Sequence, residues 1–405
     1  AAAFVQPAAS QEVRGRLAEG GGRPLASAYV ALVRGDSVVS EALTGDDGAF
    51  VLRSPGEGSF TVRAELLGYR TAETGVRVAS GGVEWVPLVM EPEPIELEGL
   101  VAAVTPRCDL RDSSDAGVAR IWAEVTKALQ VLNLTELQQL YRLSGVTWRR
   151  ALHPASLWLL PDSRREERSF ETTRPFRSAD ADVLRGGYVQ EAPEGGWSYF
   201  APDAETLLSD HFLETHCFAL DRSDGAGEEE RPVGLRFRPR TVDAPDIQGV
   251  LWLDPRTWGP LRLEFSYTHL PWPITNDRIG GDLDFCRLPG GHWIVTNWRI
   301  RMPVVSATGR GSRRRYRVDQ LTEAGGRVDH VATARGHADA GSEGDVASGN
   351  LLPARCVMGS EPGGASREWD SEPRVSRLPP RDVPLERRPW AGCRERPHRG
   401  SEQAR

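Results

Sequence analysis

The sequence predicts a mainly β protein: a seven-stranded antiparallel β-sandwich, then an α+β domain with a long curved antiparallel sheet, then a disordered tail. Short runs of alternating apolar and polar residues, bounded by Gly, Asp or Pro, fill residues 11–91 and indicate the sandwich. One helical pattern followed by longer alternating runs occupies residues 108–335. Residues 336–405 are rich in Gly, Arg, Pro and Glu and have few branched aliphatics, so they are predicted to be disordered, with a frameshifted terminus as the alternative.

The composition excludes two classes of protein. The 405 residues carry a net charge of -7, which argues against a nucleic-acid partner. No apolar run approaches 18 residues, so no transmembrane segment is predicted.

The first ten residues are interpreted as the remnant of a signal peptide. Ala8-Ala9-Ser10 places small residues where a signal peptidase reads them, and Gln11 would follow the cut. The alternative is the small-residue N-terminus of a fragment. The first interpretation predicts export.

The sandwich strands follow one another at turn signals. Val13, Gly15 and Leu17 alternate with charged residues, and Tyr29–Val33 forms an apolar run. The later strands are indicated by the following apolar residues: Val51, Leu52, Phe60, Val62, Ala64, Val76, Val78, Val86 and Leu88. The Pro-spaced stretch that follows makes residues 92–107 a linker, so residues 11–91 are predicted to fold alone.

This order of features resembles the carboxypeptidase regulatory-like domain, a transthyretin-like sandwich of the carbohydrate-binding-like group. The matching residues are Gly15, Pro24-Leu25, Ala28–Val30, Thr44–Gly48 with Phe50, Gly58–Val62 and Leu67-Gly68-Tyr69. Such domains occur beside zinc carboxypeptidases, at the N-terminus of TonB-dependent outer-membrane receptors and in surface proteins. The resemblance implies a fold and brings no activity with it.

In the second domain, a helix is predicted over 114–133 and another over 204–216. Two hairpins are predicted, 249–253 with 261–267 and 283–285 with 293–300, the latter with a bulge near Thr296. A last hairpin is predicted to turn at Gly325-Gly326.

This order of a helix and a long meander resembles lipoprotein-carrier (LolA-like) half-barrels. Together with Leu207–Asp210 and Thr215–Phe218, the whole pattern resembles uncharacterised envelope proteins of Gram-negative bacteria. That resemblance implies a location in the periplasm or at the outer membrane.

The weak metal candidates are His211, Glu214 and His216, because His at i and Glu at i+3 share one face of a helix. Chance explains this spacing equally well, and no nucleophile elbow, P-loop or dinucleotide motif is present. No metal, cofactor or catalytic residue is therefore predicted.

Five aromatic residues could line a face for an apolar or sugar ligand, and the competing interpretation is that they form the core of the sheet. They are Trp252, Trp258, Phe265, Tyr267 and Trp293.

Among the five cysteines, Cys108 and Cys217 both border predicted helices of the second domain, so a disulfide between them is a possibility. Two free thiols are the alternative. Cys286 is placed in a strand, on the face opposite Leu283 and Phe285, and is expected hardly to reach a loop cysteine. Cys356 and Cys393 are expected to pair with nothing.

These inferences predict a non-enzymatic exported envelope protein whose sheet domain binds a partner: an envelope protein, a glycan or a lipid. An accessory of TonB-dependent uptake is one alternative, and a zinc carboxypeptidase-related enzyme is another.

Overall fold

The protein is described from a computed structural model that covers residues 11–93, 116–161, 163, 165–193, 195–221, 231–309, 314–334, 350–353 and 356. The predicted signal-peptide remnant (1–10), Cys108, Cys393 and most of the linker lie outside these residues. No helix among the described residues combines the length and hydropathy that a bilayer span requires.

The N-terminal region is the predicted β-sandwich. In the described residues its strands are β1 Gln11–Glu19, β2 Tyr29–Arg34, β3 Ser37–Leu43, β4 Ala49–Ser54, β5 Gly58–Glu65, β6 Ala72–Val78 and β7 Val83–Met90. One sheet has the order β4-β1-β7 and the other β3-β2-β5-β6. The pairs are antiparallel except β1 with β7, which is parallel and departs from the all-antiparallel prediction.

A long helix, α1 (Ala116–Leu137), follows the sandwich and is buried almost all round. It contacts β2 and β3 of the sandwich as well as the large sheet behind it. A helix with apolar residues on every side requires such an enclosed position. The predicted helix therefore exists and extends four residues beyond its expected end at Asn133.

The large sheet is antiparallel and has nine strands in the described residues. Its strands, in the order in which they lie in the sheet, are β12 His216–Asp221, β13 Val233–Pro239, β14 Asp246–Leu253, β15 Pro260–Thr268, β16 Gly280–Arg287, β17 Trp293–Thr308, β18 Arg315–Thr333, β8 Tyr141–Leu152 and β9 Glu166–Thr172. The short elements between β9 and β12 are α2 Ala181–Leu184, β10 Val189–Glu191, β11 Trp197–Tyr199, α3 Ala204–Leu208 and α4 Asp210–Thr215.

The sheet curls around α1. The helix contacts both β12 and β17, which are five strand positions apart. In a flat sheet these strands would be about 24 Å apart, whereas a helix is only about 10 Å across. The predicted curvature is thus needed for one helix to reach both strands.

The register of the sheet confirms one prediction and corrects another. Asp284 pairs with Asn297 and Phe285 with Val295, which leaves Thr296 as the predicted bulge residue. The hairpin predicted at Gly325-Gly326 is wrong, because β18 runs straight through both glycines. Both positions require glycine because the rings of Trp148 and Trp298 occupy the space that a Cβ atom would need.

A segment of the predicted tail returns to the sheet. The amide of Leu351 donates to the carbonyl of Val331, Leu352 is buried, and a disulfide joins Cys356 to Cys286, whose Cα atoms are 5.7 Å apart. The expectation that Cys356 pairs with nothing is therefore wrong. Cys286 lies on the face of β16 opposite Leu283 and Phe285, as predicted, but the expectation that it can hardly reach a loop cysteine is wrong, because Cys356 meets it on that face.

Polar contacts join the sandwich to α1 and to the large sheet. Lys127 Nζ donates to Glu124 Oε1 (2.5 Å) and to the carbonyl of Tyr69 (2.6 Å), while Glu124 accepts from the amide of Gly68. The hydroxyl of Ser27 donates to the carbonyl of Gly290 in the turn between β16 and β17.

Candidate binding groove

The face of the large sheet that is turned away from α1 carries a cross-strand ladder of charges. Arg262 on β15 pairs with Asp284 on β16 at 3.1 Å, and Arg299 on β17 pairs with Asp282 at 2.5 Å. Glu323 on β18 is fully buried between Arg301 and Arg150, at 2.6 Å from each. The sign of the side-chain charge therefore alternates over five neighbouring strands. Opposite charges on directly opposed residues stabilise a sheet.

A groove of about 490 Å³ opens in this face, and we name it the arginine groove. One row of directly paired residues crosses it, Arg236–Val250–Glu264–Asp282–Arg299. The row spans four strand spacings, about 19 Å measured along the curved sheet between the backbones of its two end arginines. Ser266 and Gly280 contribute little or no side chain between them.

The lining of the arginine groove is cationic. Six arginines and three carboxylates line it, for a net charge of +3 in a chain whose total is -7. They are Arg236, Arg238, Arg262, Arg278, Arg299 and Arg301 with Glu264, Asp277 and Asp282.

The pKa values of two residues in this ladder are shifted, one by its charged neighbours and one by burial. Burial disfavours the charge of Arg262, but the neighbouring Asp282, Asp284 and Glu264 outweigh it, so the pKa of Arg262 is raised. Burial raises the pKa of Asp284 despite the opposing effect of Arg262. The arginines stay protonated and offer forked donors, which suits them to hold carboxylates or phosphates.

The aromatic residues singled out from the sequence lie mainly in the core. Trp258, Phe265, Tyr267 and Trp293 are buried in the cluster beneath α1, which agrees with the interpretation as a sheet core. Trp252 lies on the opposite face, where its indole N–H donates to Glu264.

The three metal candidates do not form a cluster, and no group of three potential ligands exists in the described part of the chain. His216 is fully buried, with Nδ1 3.1 Å from the carbonyl oxygen of Phe212 and Nε2 3.2 Å from that of Ile247. Glu214 is exposed and His211 half-buried.

Cys217 is disulfide-bonded. Apart from Cys217 and the Cys286–Cys356 pair, the sequence has Cys108 and Cys393, and both lie outside the described residues. The Cys108–Cys217 bond therefore stays a prediction.

Comparison with known families decides what the first domain is. The model of the carboxypeptidase regulatory-like domain matches residues 12–91, nearly the whole described sandwich. Residues 12–91 are a carboxypeptidase regulatory-like domain. The glycines of the regulatory-like domain fit this fold, since Gly48 has φ +77° and Gly15 lies directly beneath the Phe50 ring.

Solved structures give only distant likenesses. The 5-hydroxyisourate hydrolase of Klebsiella pneumoniae is 16% identical over 20% of this chain and 90% of its own, with a TM-score of 0.18. A putative outer membrane lipoprotein-sorting protein domain from Vibrio parahaemolyticus is 10% identical over 52% and 94%, with a TM-score of 0.19. The MucA/MucB complex of Pseudomonas aeruginosa is 15% identical over 51% and 94%, with a TM-score of 0.16.

At these TM-scores the likenesses carry no argument about function. A search of curated proteins found no match to the chain.

Sequence reasoning did not find the arginine groove. Its residues come from β13 to β17 and the loop before β16. In the sequence, each of its charged residues looks like an ordinary solvent-exposed residue of an alternating strand. The available signal was the set of arginines at i, i+2 spacing, Arg236 with Arg238 and Arg299 with Arg301. Only the sheet order shows that the two pairs lie on the same face of the sheet and line one groove.

Proposed function

We propose that this protein is a non-enzymatic binding protein of the bacterial cell envelope and that the arginine groove holds an anionic ligand. The observation that carries the proposal is that six arginines and three carboxylates line a groove of ligand size within an acidic chain. A cationic concavity concentrates anions because the field of its charges is focused there.

The chemistry of the lining supports binding rather than catalysis. Arg262, Arg299 and Arg301 are held by carboxylates across the strands. Arginine does not exchange protons near neutral pH, so it is a poor general acid or base. Fixed arginines offer a preorganised set of donors to a bound anion.

The disulfides support export. Cys286 is bonded to Cys356, and Cys217 is also in a disulfide. Disulfides persist in the periplasm and outside the cell and are rare in the cytosol. The small residues Ala8-Ala9-Ser10 point the same way.

Heparin, a soluble polyanion, tests the proposed function on the full chain. We expect retention on a heparin column that weakens with salt, and earlier elution of Arg278→Glu. Arg278 is a suitable site because its Nη1 donates to the backbone carbonyl of Pro154, and within the described part of the chain it forms no ion pair that the substitution would break. Arg177→Glu is the control, because Arg177 pairs with Asp180 beside α2, away from the groove. No retention, or equal elution of both variants, would contradict the proposal.

A further inference from the structure

We infer that the arginine groove recognises a phosphomonoester on a polar molecule, with Arg299, Arg301 and Arg278 at the phosphate. This inference rests on the anion-binding function proposed above. It adds the chemical class of the ligand and the residues that would hold the charged group.

Arg299 and Arg301 are anchored yet still have donors to offer. Arg299 donates from Nε and Nη2 to Asp282, and Arg301 donates from Nε to Glu323. Among the described residues, Nη1 of Arg299 and both Nη atoms of Arg301 have no hydrogen-bond partner. Because the anchoring carboxylates are nearly buried, the two guanidinium groups are fixed before a ligand arrives, which lowers the entropic cost of binding.

A phosphomonoester fits this arrangement better than a carboxylate does. It carries a charge near -2 at neutral pH and has three acceptor oxygens. It can therefore accept from several arginines at once, whereas a carboxylate has two oxygens and a single charge. Arg299 and Arg301 stand two residues apart on one strand, about 6.7 Å along the chain, and both line the same groove.

The floor of the groove indicates what carries the phosphate. Gly280 has φ +124°, and an added Cβ would collide with the backbone at Phe265, so the floor consists of closely packed backbone at this point and carries no side chain. Gln248 and Ser266, directly paired across β14 and β15, line the space beside it. The amide and the hydroxyl offer hydrogen bonds to a sugar or glycerol, and Val250 and Ile279 add apolar surface to the same groove.

The test compares two sugars that differ in the charged group. Glucose 6-phosphate and glucuronate are titrated into the full chain, and binding is followed by calorimetry. We expect the phosphate to bind at least about tenfold tighter, since hydrogen bonds to a dianion are strong. Arg301→Lys keeps the charge opposite Glu323 but loses the fork, and should weaken phosphate binding about tenfold. Arg177→Lys is the matched control and should bind as the wild type does.

Vesicles distinguish the source of the phosphate. Phosphatidylcholine vesicles with and without phosphatidic acid are sedimented with the protein. Binding that requires phosphatidic acid, without binding of glucose 6-phosphate, supports the inference with a lipid headgroup as ligand. Arg278→Gln, which loses one hydrogen bond to Pro154, provides a second variant should Arg301→Lys fail to fold.

Two outcomes would overturn the inference and leave the anion-binding function standing. These are glucuronate binding as tightly as glucose 6-phosphate, and heparin binding without binding of either phosphate probe. Failure of all the anions, heparin included, would overturn both.

Discussion

Glu136, near the end of α1, is a buried carboxyl whose surroundings oppose its ionisation. Burial raises its pKa to about 8, and Asp203 and Glu205 add to the effect, while Arg174, with Nε 2.9 Å from Oε2, opposes it. Arg174 also pairs with Asp203, which caps α3 by accepting from the amide of Thr206. One arginine thus ties α1 to α3 through a carboxyl that is mostly neutral at pH 7.

The first prediction concerns Glu136→Gln. The pKa of the Glu136 carboxyl rises from 4.5 in the unfolded chain to about 8 in the folded protein. The folded protein therefore loses stability as the pH rises between these two values. The loss is at most about 5 kcal/mol. The glutamine variant should remove this loss, and its unfolding free energy should depend less on pH between 5 and 8 in urea titrations.

Glu205→Gln is the control for that experiment. Glu205 is half-exposed and contacts the same arginine, so its loss should leave the pH dependence largely in place. An equal slope for the wild type and Glu136→Gln would contradict the assignment.

At the scale of elements, β18 contains two adjacent glycines whose missing side chains make room for tryptophan rings. An added Cβ on Gly325 would lie 2.5 Å from the Trp148 ring, and one on Gly326 would collide with the Trp298 ring. The two glycines are neighbours, so their vacant side-chain positions point to opposite faces of the sheet. A glycine pair between two alternating runs is a standard turn signal, and so the sequence alone predicted a hairpin.

The second prediction is that Gly326→Ala destabilises the protein by about 3 kcal/mol, because the Trp298 ring must move. Denaturant unfolding measures the change. Gly75→Ala in β6 is the matched control, since nothing lies within 4 Å of its added Cβ. In the double variant with Trp298→Ala the two effects should be non-additive. Additive effects would show that the ring contact is not the cause.

The third prediction concerns the Cys286–Cys356 bond, which closes a sequence separation of 70 residues. In the chain-entropy model such a bond contributes roughly 4 kcal/mol. The variant Cys286→Ser/Cys356→Ser should lose about that much in urea unfolding without reductant. Peptide mapping of the wild type should recover the linked peptides, and an unchanged unfolding midpoint would contradict the prediction.

At the scale of the whole molecule, the regulatory-like domain and the sheet share a core. Tyr29, Ala31 and Val33 of β2 point away from the sandwich interior and belong to the cluster that contains α1. The sequence shows β2 as one apolar run, and such a run indicates burial on both faces without naming the second partner.

The fourth prediction concerns the isolated domain. The prediction that residues 11–91 fold alone is not yet tested, and the structure adds that this fragment would expose the apolar face of β2. We expect a folded sandwich by circular dichroism that self-associates in sedimentation velocity. Ala31→Lys should restore a monomer, whereas Val51→Lys, at an exposed position on β4 of the other sheet, should not if the β2 face is the cause.

The fifth prediction uses Lys127, the single lysine of the sequence, whose side chain is 7% exposed. Lys127→Met leaves Glu124 buried without its cation and should cost about 3–5 kcal/mol. The double variant with Glu124→Leu should lose less. The rate of acylation of the Lys127 amine in the wild type, followed by peptide mapping, measures how often the interface opens. Rapid labelling of Lys127 under native conditions would contradict its burial.

The sequence by itself determined six of the seven sandwich strands, helix α1, the curved sheet and the bulge at Thr296, because alternation and helical periodicity are local consequences of burial. It did not indicate β3, in which every side chain is at least partly exposed. The tertiary structure decided which strands are neighbours. That order places Arg236 and Arg299 on one face of the sheet, buries Glu323 between two arginines and joins Cys286 to Cys356. These contacts link residues far apart in the chain, and the pattern of a single strand carries no information about its partner across the sheet.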